Sequence, residues 1–137
     1  MPITASQTPE LFWLTATVAL TGLLWVPYVL NRILEHGLWN PLRSAPAELP
    51  PRAVWAVRMV AAHQNAVENL VIFAALVLTL VIAHRTTAAT AVAAMTYFFA
   101  RLVHFIVYSA GIPVLRTLAF GVGWVACLKI ALAIFGV

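Results

Sequence analysis

The chain has 137 residues, of which 64% are hydrophobic and only 9% charged, with a net charge of +4. Soluble domains carry roughly 25% charged residues, so this composition points to a bilayer as the solvent and excludes an ordinary water-soluble enzyme. The positive charges stand singly along the chain, which excludes a nucleic-acid patch, and the one cysteine, Cys127, excludes a disulfide framework or a Cys-based metal site.

The opening MPITASQTPE holds no Lys or Arg, so no cleaved signal peptide is expected. Four stretches then follow that suit a bilayer span of about 20 residues. The first runs from about Leu11 to Leu34. Pro27 lies inside it, in WVPYVLNR, and predicts a packing kink because proline lacks a backbone donor. Trp25, Tyr28 and Trp39 read as interfacial anchors. The only long loop comes next, EHGLWNPLRSAPAELPP, with four prolines. The second span starts near Val54 and runs to about Ala83. It is long for a bilayer, so its first turns are expected to project. A tight turn at His84-Arg85-Thr86-Thr87 leads to the third span, about Thr87 to Ala110. Gly111-Ile112-Pro113 breaks the chain before the fourth, about Leu115 to Phe135, in which Lys129 is expected to snorkel to the extracytoplasmic surface.

Short links imply antiparallel neighbours, so the sequence predicts an all-α integral membrane protein: one domain over residues 1–137, folded as an up-down bundle of four transmembrane helices. Arg32, Arg43, Arg52 and Arg58 flank the first loop and Arg116 the third. The opposite side has only Arg85 and Lys129. Loops one and three are therefore expected in the cytoplasm and both termini outside it.

Ionisable side chains within a membrane cost free energy and usually face the bundle interior. In span two, Arg58, Asn65 and Glu68 lie at i, i+7 and i+10, which at about 100° per residue puts them on one face. In span three, Arg101, His104 and Tyr108 form a second stripe at i, i+3 and i+7. Arg116 follows at the same level, and Arg32 closes span one on that side. A buried Glu68–Arg101 ion pair would fix helix register and need no ligand. It would leave Arg58, Arg116 and Tyr108 unexplained, and the excess of Arg over Glu calls for an anion. Several arginines suit carboxylates and one Glu suits an ammonium. A zwitterionic peptide such as glutathione answers that description, while a phosphate or a lipid headgroup also fits the charges. A thiol beside an arginine is shifted towards thiolate. His63 and Gln64 face differently and read as interfacial. His36 and His84 sit at span ends, and the four histidines have no metal-ligand spacing.

These motifs together resemble the MAPEG family (membrane-associated proteins in eicosanoid and glutathione metabolism). The family pattern R-A-x-x-N-x-x-E aligns with Ala61-Ala62-His63-Gln64-Asn65-Ala66-Val67-Glu68. "ARLVHFIVY" is similar to the A-R-x-x-H-x-x-x-Y stretch of microsomal prostaglandin E synthase, and "GIPVLRTLAF" to the loop and fourth-span arginine that follow it. "WVPYVLNRILEHG" resembles the first span of bacterial members. The chain departs from the family where its span-two arginine falls on Ala61, with Arg58 one turn earlier on nearly the same face. It has Asn69 where some members have Tyr, and it lacks the proline that commonly follows.

The resemblance implies a homotrimer in a bacterial inner membrane, with glutathione as co-substrate bound between protomers on the cytoplasmic side. Arg116 would stabilise the thiolate, with the hydroxyls of Thr117 and Tyr108 close by. Asn65 and Glu68 would bind the glutathione backbone and its γ-glutamyl end. Arg101, His104 and Tyr108 would line the pocket, with Arg58 standing in for the missing arginine and Arg32 at a matching height. The activity implied is a membrane glutathione transferase or peroxidase acting on lipophilic electrophiles or lipid hydroperoxides. A non-catalytic lipid-binding member with a degenerate glutathione site is the alternative. A small proton-coupled exporter is a third reading, disfavoured because Glu68 lies in the second span and Arg101 competes for it.

Overall fold

The structure, a computed structural model, describes residues 8–137. Residues 1–7, on which part of the signal-peptide argument rests, lie outside the described residues. Six helices follow in order: α1 (Pro9–Leu23), α2 (Val26–His36), α3 (Trp39–Arg43), α4 (Val54–Ile82), α5 (Ala88–Ala110) and α6 (Pro113–Phe135). Four rods are long and apolar enough to cross a membrane: α1 continued by α2, then α4, α5 and α6. The all-α, four-span membrane bundle is therefore what the chain forms. The spans begin and end within about two residues of the expected limits.

Local chemistry explains those limits. Pro9 and Pro113 stand at the first turn of α1 and α6, where a missing N–H costs nothing. Both helices therefore start earlier than hydropathy alone suggests. Pro27 deprives the Leu23 carbonyl of its partner, so α1 ends there and α2 restarts at Val26. Thr87 and Thr90 form a reciprocal capping box at the start of α5. Gly111 ends α5 in the left-handed conformation at φ 78°, where a side chain would be strained. It also leaves room for the Arg58 guanidinium, which lies against it.

Helix α5 is the centre of the bundle. Half of its apolar window is buried, against 22% for each other span. It packs on α1, α4 and α6. Its contact with α6 is lined by small residues, Ala93 and Ala100 facing Ala119, Gly123 and Ala126, which lets the backbones approach. Lipid is as apolar as leucine, so this close packing does what hydrophobic burial does in water. Phe73 of α4 stacks on Tyr97 of α5 with ring centroids 3.8 Å apart, surrounded by Val77, Leu80, Ala94 and Ile130. A second cluster of Leu24, Ala62, Ala66 and Phe105 lies nearer loop one.

Two polar ties close the ends. Glu10 is almost fully buried and accepts a hydrogen bond from the Thr90 hydroxyl, joining the start of α1 to the start of α5. At the other end, the Glu35 carboxylate accepts from the backbone N–H groups of Arg52 (2.7 Å) and Ala53 (2.9 Å) at the start of α4. An anion is favourable there, because the first N–H groups of a helix lack partners. Loop one also contains the short helix α3.

The α4–α5 turn holds His84 at φ 54°, the only non-glycine residue with positive φ among those described. The backbone bonds His84 N–H to Val81 C=O and Arg85 N–H to Leu80 C=O place it where glycine is usual. Left-handed strain of about 1–2 kcal/mol exceeds the chain-entropy cost of glycine. His84→Gly should therefore raise stability by about 0.5–1 kcal/mol, read as a higher thermal midpoint in detergent. A lower midpoint would mean that the His84 side chain makes a contact worth more than the strain.

Candidate functional site

A continuous column of cations and rings runs through the α5–α6 side of the bundle. At the loop-three end, the Arg116 guanidinium stands over the Tyr108 ring, 4.6 Å from its centroid. Tyr108 meets His104 edge-on at 5.6 Å, and His104 meets Phe120 at 6.1 Å. The Arg101 guanidinium lies 5.2 Å from both the Phe120 and the Tyr97 ring centroids. A cation over a ring face is stabilised by the ring quadrupole, by about 2 kcal/mol or more when desolvated. This is how a lipid-embedded bundle can hold Arg101 only 4% exposed.

Arg101 reaches across to α4, where its Nη1 donates to Asn65 Oδ1 at 3.0 Å. Asn69 in turn donates to the Asn65 carbonyl at 2.8 Å. On α6, Gly123 lies directly against the guanidinium, with an added Cβ placed 3.4 Å from Nε. The Glu68–Arg101 ion pair, the alternative that would need no ligand, does not form. Glu68 is exposed on the outer side of α4 and accepts from Gln64 at 3.2 Å. The reason is angular: α4 meets α5 through Ala62, Ala66 and Phe73, and Glu68 falls beyond the edge of that contact.

The remaining candidates divide in two. Arg58 lies against Gly111, so it joins Arg116 at the loop-three end. Arg32 does not join them. It is buried, its Nε donates to Leu49 C=O at 2.9 Å, and its Nη2 donates to the carbonyls of Ser44 and Ala45 at 3.2 and 3.1 Å. Its work is to hold loop one rather than to face a ligand. Thr117 is exposed, and its hydroxyl donates back to Pro113 C=O at 3.1 Å. His63 is half-buried, with Nδ1 2.8 Å from the Tyr28 hydroxyl beside the helix break. Tyr28 is thus occupied within the bundle.

Sequence reasoning missed Tyr97, Phe120 and Gly123. Tyr97 was within reach, since it lies four residues before Arg101 on the stripe already traced through His104 and Tyr108. Phe120 lies four residues after Arg116 in the same way. Gly123 has no such signal. Among the described residues, no three His, Cys, Asp or Glu side chains come together as a metal site would need.

The sequence profile described as MAPEG family matches residues 10–136. The chain belongs to the MAPEG family. Its four-helix membrane bundle is the family's fold, and it is an integral membrane protein. No curated protein and no solved structure matches it.

Two outcomes check this geometry. Asn65→Leu removes the partner of a buried guanidinium and should cost about 1–3 kcal/mol, measured as a lower thermal midpoint, with Asn65→Asp recovering the loss. An unchanged midpoint in Asn65→Leu would show that Arg101 does not depend on it. Arg32→Met should open loop one to trypsin at Arg43 and Arg52 while the spans stay protected. Equal cleavage rates in variant and parent would remove the loop-holding role.

Proposed function

We propose that this MAPEG member is a membrane-bound glutathione transferase or peroxidase that acts through a glutathione thiolate held by Arg116. Family membership supports a glutathione-related transferase, peroxidase or related function in a membrane. The observation that carries the finer reading is Arg116 itself. It is half-buried, fixed over Tyr108, and has no carboxylate partner among the described residues. Arg58 adds a second cation at the same end. A thiol bound there loses its proton more readily, because the adjacent positive charge favours the thiolate.

Attack by that thiolate on an electrophilic carbon forms the C–S bond of a thioether as the bond to a leaving group breaks and takes its electron pair. Attack on a lipid hydroperoxide cleaves the O–O bond, giving a sulfenic acid and the lipid alcohol, and a second thiol then forms the disulfide with loss of water. An apolar groove of about 490 Å³ begins at Thr117, beside Arg116, and runs between α5 and α6 past Val92, Val122 and Trp124. It suits a lipophilic second substrate entering from the bilayer. Holding the two reactants together supplies proximity, and Arg116 supplies electrostatic stabilisation.

The site calls for a second copy of the chain. Gln64 and Glu68 are exposed on a membrane-spanning helix, where lipid offers no hydrogen bonds. Val57, Ala61, Gln64, Glu68, Val71, Ala75, Leu78 and Ile82 alternate at spacings of four and three along that outer face, the spacing of a helix–helix seam. Packing α4 against α4 of neighbouring copies covers the pair. It also brings Glu68 to a site between protomers, in line with a homotrimer that binds the ammonium of glutathione there. The arginines around loops one and three orient this end to the cytoplasm of a bacterial inner membrane.

A second reading rests on Ala61, where the family pattern has arginine: a lipid-binding member that no longer uses glutathione. Equilibrium glutathione binding to the detergent-purified protein separates the two. The parent should bind, Glu68→Gln should weaken binding, and Arg116→Ala should bind with its ultraviolet thiolate absorbance reduced about tenfold or more, the effect of losing an adjacent opposite charge. No binding at millimolar glutathione would leave the lipid-binding reading.

A further inference from the structure

Among the described residues no carboxylate pairs with Arg101. It sits nine residues before the end of α5, about 14 Å from loop three along the helix. That is near mid-depth in the bundle. Its Nη1 is bound to Asn65, yet its Nε has no partner and is fully buried. The Tyr97 hydroxyl, one turn away on the same stripe, is likewise buried without a partner. The chain contains four carboxylates, all glutamates. Glu10 binds Thr90, Glu35 binds the start of α4, Glu48 binds the Ala45 N–H, and Glu68 binds Gln64. None reaches Arg101, and a buried guanidinium without a counter-anion is costly.

A pocket opens beside this guanidinium on the α4–α6 side, away from the α5–α6 groove of the proposed second substrate. It has a volume of about 190 Å³ and is lined by Asn69, Ile72 and Leu76 of α4, Arg101 of α5, and Trp124 and Cys127 of α6, with Leu128 and Ala131 continuing the α6 wall. Ile72 and Trp124 are more than half exposed at its mouth, so it opens to the outside of the bundle at membrane depth. Its volume equals roughly six water molecules, which admits a small head group and a few methylenes but falls below the roughly 300 Å³ at which whole-ligand pockets begin. Glutathione is too large for it.

We propose that this pocket is a second ligand site that takes the carboxylate of a single-chain anionic amphiphile from the bilayer. The carboxylate accepts from the Arg101 guanidinium where it lines the pocket and neutralises it. The first methylenes lie against Ile72, Leu76 and Leu128, and the rest of the chain stays in lipid. The site is separate from the Arg116 end and stands whether or not glutathione binds there.

Cys127 is the only cysteine and lines the pocket, so it reports on occupancy without any engineering. The rate of its alkylation by N-ethylmaleimide, followed by mass spectrometry on the detergent-purified full chain, is compared with palmitate, methyl palmitate or S-methylglutathione present, the last because it has no thiol to consume the reagent. Palmitate should slow alkylation about tenfold when it stands at roughly ten times its Kd. Methyl palmitate and S-methylglutathione should not. Arg101→Gln should abolish the protection. Ala131→Phe, which fills the pocket and leaves the guanidinium in place, should abolish it too and covers the case in which Arg101→Gln does not fold. Equal protection by methyl palmitate, protection by S-methylglutathione, protection that survives Ala131→Phe, or no protection by palmitate would each overturn the proposal. Should Cys127 resist the reagent in every sample, quenching of Trp124 by dibrominated stearate decides, in protein with the other four tryptophans changed to Phe. Trp124 also borders the α5–α6 groove, so quenching stronger than that by the methyl ester and lost in Ala131→Phe supports the site, and equal quenching, absent quenching or quenching that survives Ala131→Phe overturns it.

Discussion

A positive charge at mid-depth in a greasy bundle is the constraint around which this structure is arranged. Arg101 can be held there only if its guanidinium is surrounded by groups that tolerate a cation. Each of the three helices it touches supplies one: Asn65 from α4, Tyr97 on its own helix, and Phe120 from α6. Gly123 gives the planar group its space. Isolated helices in a bilayer gain little from apolar association, so a polar group with partners on several helices is an effective source of register. Arg101 therefore links the packing of the fold to the charge of the site.

The same reasoning separates the polar residues by purpose. Arg32 and Glu35 serve the backbone: one gathers loop carbonyls, the other the first N–H groups of α4. Glu10 and Thr90 do comparable work at the opposite end. The hydrogen bonds these side chains make all lie inside the protomer. Arg58, Arg116, Gln64 and Glu68 differ because their functional atoms face outward or towards the loop-three end. A bilayer does not reward that placement, so a ligand or a second protomer must.

The four spans were legible because an apolar run of bilayer length has few other interpretations, and because proline and glycine mark the ends through their own backbone chemistry. The stripe Arg101–His104–Tyr108 was legible for a similar reason, since helical periodicity alone puts these side chains on one side. The partner of Arg101 was not. Arg58, Asn65 and Glu68 lie within about 80° of one another on a helical wheel, and periodicity cannot say which edge of that arc meets α5. The alanines at 62 and 66 decide it by allowing close approach, which turns Asn65 inward and Glu68 outward. The role of Arg32 was hidden more deeply. Its partners are carbonyls of a proline-rich loop, and carbonyls carry no side-chain signature.

The departure at position 61 takes on a different meaning in three dimensions. Read as a string, Ala61 is a lost arginine and Arg58 its displaced substitute. In the folded chain, Ala61 falls on the same outer face of α4 as Gln64 and Glu68, while the Arg58 guanidinium reaches past the end of α5 to Gly111. A small residue on that face leaves room for a neighbouring helix, and the cation has moved to the loop-three end beside Arg116. Charge at the site is therefore redistributed rather than reduced. Positive charge is concentrated where a thiol would need it, and the outer face of α4 keeps Glu68 without an adjacent cation from its own helix. A ligand spanning the two would meet cations from one protomer and a carboxylate from the next, which is the polarity of a zwitterion with its acid groups turned towards Arg58 and Arg116.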